Sequence, residues 1–414
     1  MALRAARPRK VLLLCAAMGL LIGVGACSSG EPGSGGAGQA REATGPLRAD
    51  RGKLVDLNGQ EVRLTGVNWF GFETESCAPY GLATRSWQSM LDQIKSSGFN
   101  TIRLPYSNQL IDGDGCSPKG INYAKNPDLK GLKGLPLMDK IVDGAASRGL
   151  MVVLDRHRPN ASAQSELWYT DKVPEARWIE DWTMLAQHYR DNPAIVGADL
   201  HNEPHGSATW GDGNPRTDWR LAAERAGNAI LKVNPDWLVI VEGVEVYKND
   251  YYWWGGNLMG AGRYPVRLSS PDKLVYSAHD YGPELYLQPW FKAKNFPQNL
   301  PQVWNKHWGY LPSRSGVPVL LGEFGGRSVG NDKAGQWQRR LVAYLKETGT
   351  SYTYWSWNPN SGDTGGILQD DWKTANQSKL DVLSAYQWPA LARSASGKSK
   401  ADTAWNGALD AYGR

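Results

Sequence analysis

The sequence predicts an α/β chain folded as a single (β/α)8 TIM barrel, and three observations predict it. Apolar runs of about four to eight residues recur eight times. Most are separated by segments with helical spacing, and residues able to do chemistry gather at the C-terminal ends of the runs.

The runs read as strands lie at 62–68, 100–104, 150–155, 195–200, 238–241, 273–279, 318–322 and 351–357. Helices are readable between several of them: 86–97 stops at Gly98, 137–148 stops at Gly149, and 218–233 stops before Pro235. Ahead of the first run, residues 52–60 contain Asn58-Gly59, the dipeptide of a tight hairpin, which predicts an N-terminal hairpin arm lying over the barrel bottom.

Arg103, His157, Asn202, Glu203, His279, Tyr281, Glu323 and Trp357 fall at or just beyond the ends of these strands. In this architecture that rim carries the chemistry. Packing alone would not put an arginine, two glutamates and two histidines there, because an unpaired buried charge is costly.

The flanks read differently. Arg4, Arg7, Arg9 and Lys10 precede an apolar run from Val11 to Val24, too short for a comfortable membrane span, so residues 1–26 read as an export signal. Small residues before Cys27 are arranged as at a bacterial lipoprotein cleavage site, which predicts lipidation of Cys27, with an ordinary signal peptide as the alternative. Residues 27–48 are rich in Gly, Ser and Ala and read as a flexible tether. The catalytic domain is then placed at 49–393 and a polar tail at 394–414.

Net charge is +5, but several of the basic residues lie in the signal, and no Lys/Arg block suited to phosphates follows; no nucleic-acid partner is predicted. Of four cysteines, Cys15 leaves with the signal and Cys27 is assigned to the lipid. That leaves Cys77 and Cys116 as a disulfide pair in an oxidising compartment, or as two free thiols. Six histidines without a His-Glu-x-x-His or a close helical pair predict no metal site, and no cofactor is expected. The chain carries 19 Trp and 18 Tyr against 6 Phe. Rings with a polar handle suit a saccharide, whose C–H face stacks while its rim hydroxyls need hydrogen bonds, although many must be plain packing.

Cleaving a glycosidic bond takes one carboxylic acid to protonate the leaving oxygen and one carboxylate to attack or to activate water. Glu203 in His201-Asn202-Glu203-Pro204 and Glu323 in Gly322-Glu323-Phe324-Gly325 can supply them. They stand 120 residues apart (323 minus 203), so only a barrel that brings the fourth and seventh strands to one rim makes them partners.

With Asn202-Glu203-Pro204, Ile102-Arg103-Leu104-Pro105, Leu154-Asp155-Arg156-His157-Arg158, His279-Asp280-Tyr281, Gly322-Glu323 and Trp355-Ser356-Trp357-Asn358 in that spatial scheme, most of the chain resembles glycoside hydrolase family five. Within that family it is most similar to bacterial secreted endo-β-1,4-glucanases, through 253–258 and 358–366. The resemblance implies a retaining hydrolase with Glu203 as acid/base and Glu323 as nucleophile. It implies that Arg103 and Tyr281 hold Glu323, that Asn202 binds the 2-hydroxyl, and that His157 and His279 bind hydroxyls near the cleavage point. A tryptophan of the last strand would floor the reactive sugar; alternation along a strand leaves both Trp355 and Trp357 open. Trp254 and Tyr286 are further subsite candidates.

Retention predicts carboxyl groups about 5–5.5 Å apart. Glu203 would need a raised pKa, from Glu323 and from burial, to stay protonated until it donates. The expected substrate is a β-linked glucan, with mannan, mixed-linkage glucan or β-1,3-glucan as alternatives, and a non-catalytic glycan-binding lipoprotein as the reading from another class. Residues 75–83 carry alanine where similar enzymes present an aromatic, and the short polar stretch after Ala390 predicts no separate carbohydrate-binding module, hence soluble β-glucan over crystalline cellulose. A monomer is expected, touching a membrane only through the lipid.

Overall fold

The computed structural model describes residues 45–112 and 116–388. The signal at 1–26, Cys27, most of the tether and the tail at 394–414 lie outside the described residues.

Eight parallel strands close into a barrel: Thr65–Asn68, Thr101–Ser107, Met151–Arg158, Ile195–Asp199, Leu238–Glu242, Leu274–His279, Val319–Glu323 and Ser351–Tyr354. They are called the first to eighth strands below. Their residues are buried almost throughout, as strands covered on both faces must be. The helices Trp87–Ser96, Gly134–Ser147, Glu175–His188, Trp219–Val233 and Lys333–Thr348 pack outside. Two of them show how the local sequence sets their limits. Ser86 caps the helix Trp87–Ser96 by accepting from Ser89 N, and Gly349, at φ 69°, ends the helix Lys333–Thr348 in the left-handed conformation that glycine adopts cheaply.

The arm is more than a hairpin. Arg48–Asp50, Lys53–Val55 and Glu61–Val62 form a three-stranded antiparallel sheet, with Asn58-Gly59 turning between the last two. The run read as a first strand at 62–68 is therefore split: its start pairs with the arm, and the barrel strand proper begins at Thr65. Leu47, in the stretch assigned to the tether, is already buried. It joins Leu54 and Val62 of the arm in one cluster with Met151, Val153, Val196, Leu238, Ile240, Val275 and Leu320 from the strands. The arm thus closes the barrel bottom, tied there by Lys273 Nζ to Leu47 O at 2.9 Å and Gly52 N to Gly316 O at 2.8 Å. Each fully buried aliphatic side chain in that plug contributes about 1.5–3 kcal/mol.

The aromatic bias is mainly core. At least ten tryptophans are fully buried, among them Trp69, Trp178, Trp182, Trp219 and Trp337. Cys77 and Cys116 are joined as a disulfide, linking the loops after the first and second strands.

Candidate active site

The upper rim is organised around Arg103, which points inward from the second strand and is fully buried. Its Nη1 donates to Glu323 Oε1 at 2.7 Å and to Asn68 Oδ1 at 3.0 Å, and lies 3.1 Å from Asp155 Oδ2. Its Nε donates to Asp199 Oδ2 at 2.9 Å, and Nη2 donates to Asn202 Oδ1 at 3.0 Å and Glu242 Oε1 at 3.1 Å. One guanidinium thus faces four buried carboxyl groups. These hold it protonated even though burial alone would favour the neutral form. Asp155, Asp199 and Glu242 bring oxygens within 4.8 Å of one another, a spacing that suits a cation, and the cation bonded among them is Arg103.

Glu323 ends the seventh strand, and its second oxygen accepts from Tyr281 OH at 2.6 Å. Glu203 follows the fourth strand, with its side chain about 14% exposed, and its Oε2 accepts from Gln164 Nε2 at 3.1 Å. An oxygen of Glu203 and an oxygen of Glu323 lie within 4.8 Å of each other, with a His279 nitrogen inside the same limit.

His279 stands between the two glutamates, its Nδ1 3.0 Å from Glu203 Oε1 and 3.5 Å from Glu323 Oε2. Burial disfavours the imidazolium, but the charges of Glu242 and Glu323 outweigh it and hold the ring protonated. The expected raised pKa of Glu203 is corrected here: burial pushes its carboxyl up, yet the hydrogen bond and charge of His279 pull it below the ordinary range. Glu203 is thus held towards its ionised form and His279 towards its protonated one. His279 is therefore first a partner of the carboxylates, where the sequence suggested a binder of sugar hydroxyls.

His157 donates to or accepts from Asp155 Oδ2 at 2.6 Å through Nδ1, and burial lowers its pKa to about 3, so it is neutral. Its ring lies near-parallel to Trp355, 5.4 Å between centroids, and Trp355 lies equally flat beside Phe70 at 5.1 Å. Asn202 spends its carbonyl on Arg103 and leaves its buried Nδ2 without a partner among the described residues, a donor awaiting an acceptor.

Strand alternation does not reach the two tryptophans, because the eighth strand ends at Tyr354. Trp355 is partly exposed beside His157. Trp357 is a correction: it is fully buried and packs edge-on against Phe99, so it floors nothing. Trp254 is 43% exposed and stacks on His205 at 3.8 Å, next to Gly255, whose Cα region abuts Glu203. Tyr286, on the loop after the sixth strand, is 65% exposed and takes no part in the carboxylate network.

Sequence reasoning passed over Asn68, Asp155, Gln164, Asp199 and Glu242. Asp155 stands two residues before His157 on the same strand, so both face inward, and Glu242 lies one residue past the stretch read as the fifth strand. The rule that found Glu323 would have found Glu242. Gln164 sits on a loop with no comparable signal.

Comparison with known proteins agrees with this geometry. The family model described as Cellulase (glycosyl hydrolase family 5) matches residues 55–361. An endoglucanase of Paenibacillus polymyxa is 53% identical over 356 residues, covering 85% of this chain and 89% of the relative. The major extracellular endoglucanase of Xanthomonas campestris is 43% identical over 337 residues, covering 80% of this chain and 69% of that protein. Among solved structures, the complex of an endocellulase variant from Pyrococcus horikoshii with cellotetraose superposes with a TM-score of 0.78 at 44% identity, covering 83% of this chain and 99% of that one. Sequence match, barrel and rim chemistry converge, and the chain belongs to glycosyl hydrolase family 5.

Proposed function

We propose that the protein is a retaining endo-β-1,4-glucanase in which Glu323 is the nucleophile and Glu203 the acid/base. The observation that carries the reading is the pair itself: two carboxyl groups from the fourth and seventh strands meeting at the rim with oxygens within 4.8 Å. That closeness favours direct attack over the wider separation with which inverting enzymes admit a water. The glucan is proposed from the relatives, named as endoglucanases, and from the cellotetraose held by a structural neighbour.

In the first step Glu323 attacks the anomeric carbon while Glu203 protonates the departing glycosidic oxygen, giving a glycosyl ester and a shortened chain. Arg103 and Tyr281 donate to Glu323 and fix both of its oxygens for attack. Glu203 receives its proton from the imidazolium of His279, 3.0 Å away, so the pair arrives loaded although the carboxyl alone is acidic. Once Glu323 is esterified its charge is gone, and Glu203 can take a proton from the incoming water that breaks the ester. Asn202 Nδ2 donates to the 2-hydroxyl, and Trp355 lies under the reactive sugar beside the neutral His157. Trp254 and Tyr286 extend the cleft.

Export through residues 1–26 and anchoring by a lipid on Cys27 are part of the same proposal; Cys27→Ser should release the protein from the cell surface into the medium. The activity is tested by offering soluble β-glucans and mannans and following reducing ends and the anomer first released. Rapid loss of viscosity on β-1,4-glucan with β-anomer first is expected. Preference for mannan would move the substrate, α-anomer first would refute retention, and silence on the whole panel would favour glycan binding without cleavage.

A further inference from the structure

Glu242 is a buried carboxyl group to which the double displacement gives no task. It ends the fifth strand, fully enclosed, and both of its oxygens are engaged. Oε2 accepts the backbone N–H of Glu203 at 2.8 Å. Oε1 accepts from Arg103 and lies 3.3 Å from His279 Nε2, close enough for an ion pair but without the alignment of a hydrogen bond.

Two backbone features show what this grip works against. Glu203 has φ 52°, in the left-handed region that residues with a side chain occupy only when neighbours compel it. Opposite it stands Gly255, where an added Cβ would be 2.2 Å from Glu242 Oε2 and 3.1 Å from Glu203 Cα. The space around the pair is kept clear so that the carboxyl can reach that one N–H.

We propose that Glu242 is a positioning residue for acid catalysis: one oxygen holds the backbone of Glu203 in the conformation that aims its carboxyl, and the other, through its charge on His279, sets how firmly the Glu203–His279 pair keeps its proton. This rests on Glu203 being the acid/base. The other charged groups facing the trio are Arg103 from the second strand, Asp155 from the third, Asp199 from the fourth and Glu323 from the seventh. Burial pushes the Glu242 carboxyl up, while the positive charges of His279 and Arg103 beside it favour its ionised form.

The test is Glu242→Gln, which keeps the shape and removes the charge, assayed across pH on two aryl β-cellobiosides, one with a poor and one with an activated leaving group. Loss of a negative neighbour lowers the His279 pKa, so the basic limb of kcat/KM should move to lower pH. The loss should be roughly tenfold or more on the poor leaving group and at most about threefold on the activated one. Equal losses on both substrates with an unmoved basic limb, as a merely structural role would give, overturn the proposal. So does wild-type activity on both. Should Glu242→Gln not fold, Glu242→Asp keeps the charge and draws the carboxyl back from the Glu203 N–H, and selective loss on the poor leaving group is again expected, uniform loss being contrary. Glu203→Gln on the same two substrates separates the claims: if it shows no such selectivity, the acid/base reading itself falls; if it does and Glu242→Gln does not, only the present inference falls.

Discussion

The two ends of the barrel are built by the same strands and obey opposite rules. The third strand sends Met151 and Val153 into the apolar plug at the bottom and Asp155 and His157 into the rim at the top; the fifth sends Leu238 and Ile240 down and Glu242 up. Inward positions two residues apart thus change from hydrocarbon to charge within a few ångströms of rise. The bottom is held by burial, needing only residues of suitable volume. The top is held by a web in which each charge is tolerable because the next one is present. Substitutions at the bottom should therefore cost stability and spare chemistry, while those at the top cost chemistry first.

The sharpest break of this contrast is expected at Glu323. Glu323→Gln should lower kcat by roughly 10⁴-fold or more on every substrate while the protein still folds, which steady-state kinetics and circular dichroism would check together. Residual turnover of a few per cent would place the nucleophile elsewhere. Next comes Glu203→Gln, with about 10²–10⁴-fold loss on natural glucan and far less in the first step on an activated aryl glycoside.

Arg103 tests whether the top is also structural. Arg103→Met removes the guanidinium that Asp155, Asp199, Glu242 and Glu323 share, and stranded buried carboxylates typically cost about 3–5 kcal/mol. Denaturant unfolding should show that loss, with partial relief as the pH falls and the acids protonate. The sign follows from burial, which holds Asp155 and Asp199 near 6 even against the pull of Arg103; without Arg103 they rise further above unfolded carboxyls, so the folded variant binds more protons and gains stability as pH drops. Unchanged stability would mean that the web is dispensable to the fold.

The tryptophan pair gives the same comparison at closer range. Trp357→Ala should lower stability by about 3–5 kcal/mol with KM little changed, because it empties core against Phe99. Trp355→Ala should leave stability within about 1–2 kcal/mol and lower kcat/KM, because its ring is partly exposed beside His157 and is proposed to lie under the reactive sugar. At the bottom, Leu54→Ala should cost about 2–5 kcal/mol and leave kcat/KM of the folded protein unaltered. A kinetic effect there would show that the plug reaches the rim.

What could be read from sequence follows this division. The eight strands were legible because runs buried on both faces are nearly continuous apolar stretches, and the first failed at its start because Val62 serves the arm with the same apolar chemistry that a barrel strand would show. Glu203, Glu323 and Arg103 were legible because a charge at the end of an apolar strand is too costly to desolvate for packing alone to place it there. Glu242 was missed by one residue of strand length, and Asp199 by lying inside a run read as core. The protonation of Glu203 was misjudged for a different reason: it depends on His279 Nδ1 at 3.0 Å, a contact between strands four and six that spacing along a chain cannot reveal. Trp355 and Trp357 could not be told apart while strand periodicity was extended past Tyr354, where the chain has left the sheet.

The central claim is that Glu323 bonds covalently to the sugar with Glu203 as its acid/base. It is tested most directly by reacting the protein with an activated 2-deoxy-2-fluoro β-cellobioside, which slows release of the ester, and mapping the added mass by proteolysis and mass spectrometry. The account predicts one equivalent of sugar on the peptide containing Glu323, formed with loss of activity that recovers as the ester turns over. Inactivation with the sugar on any other residue, or steady turnover of natural substrate with no trapped ester and α-anomer released first, would contradict it.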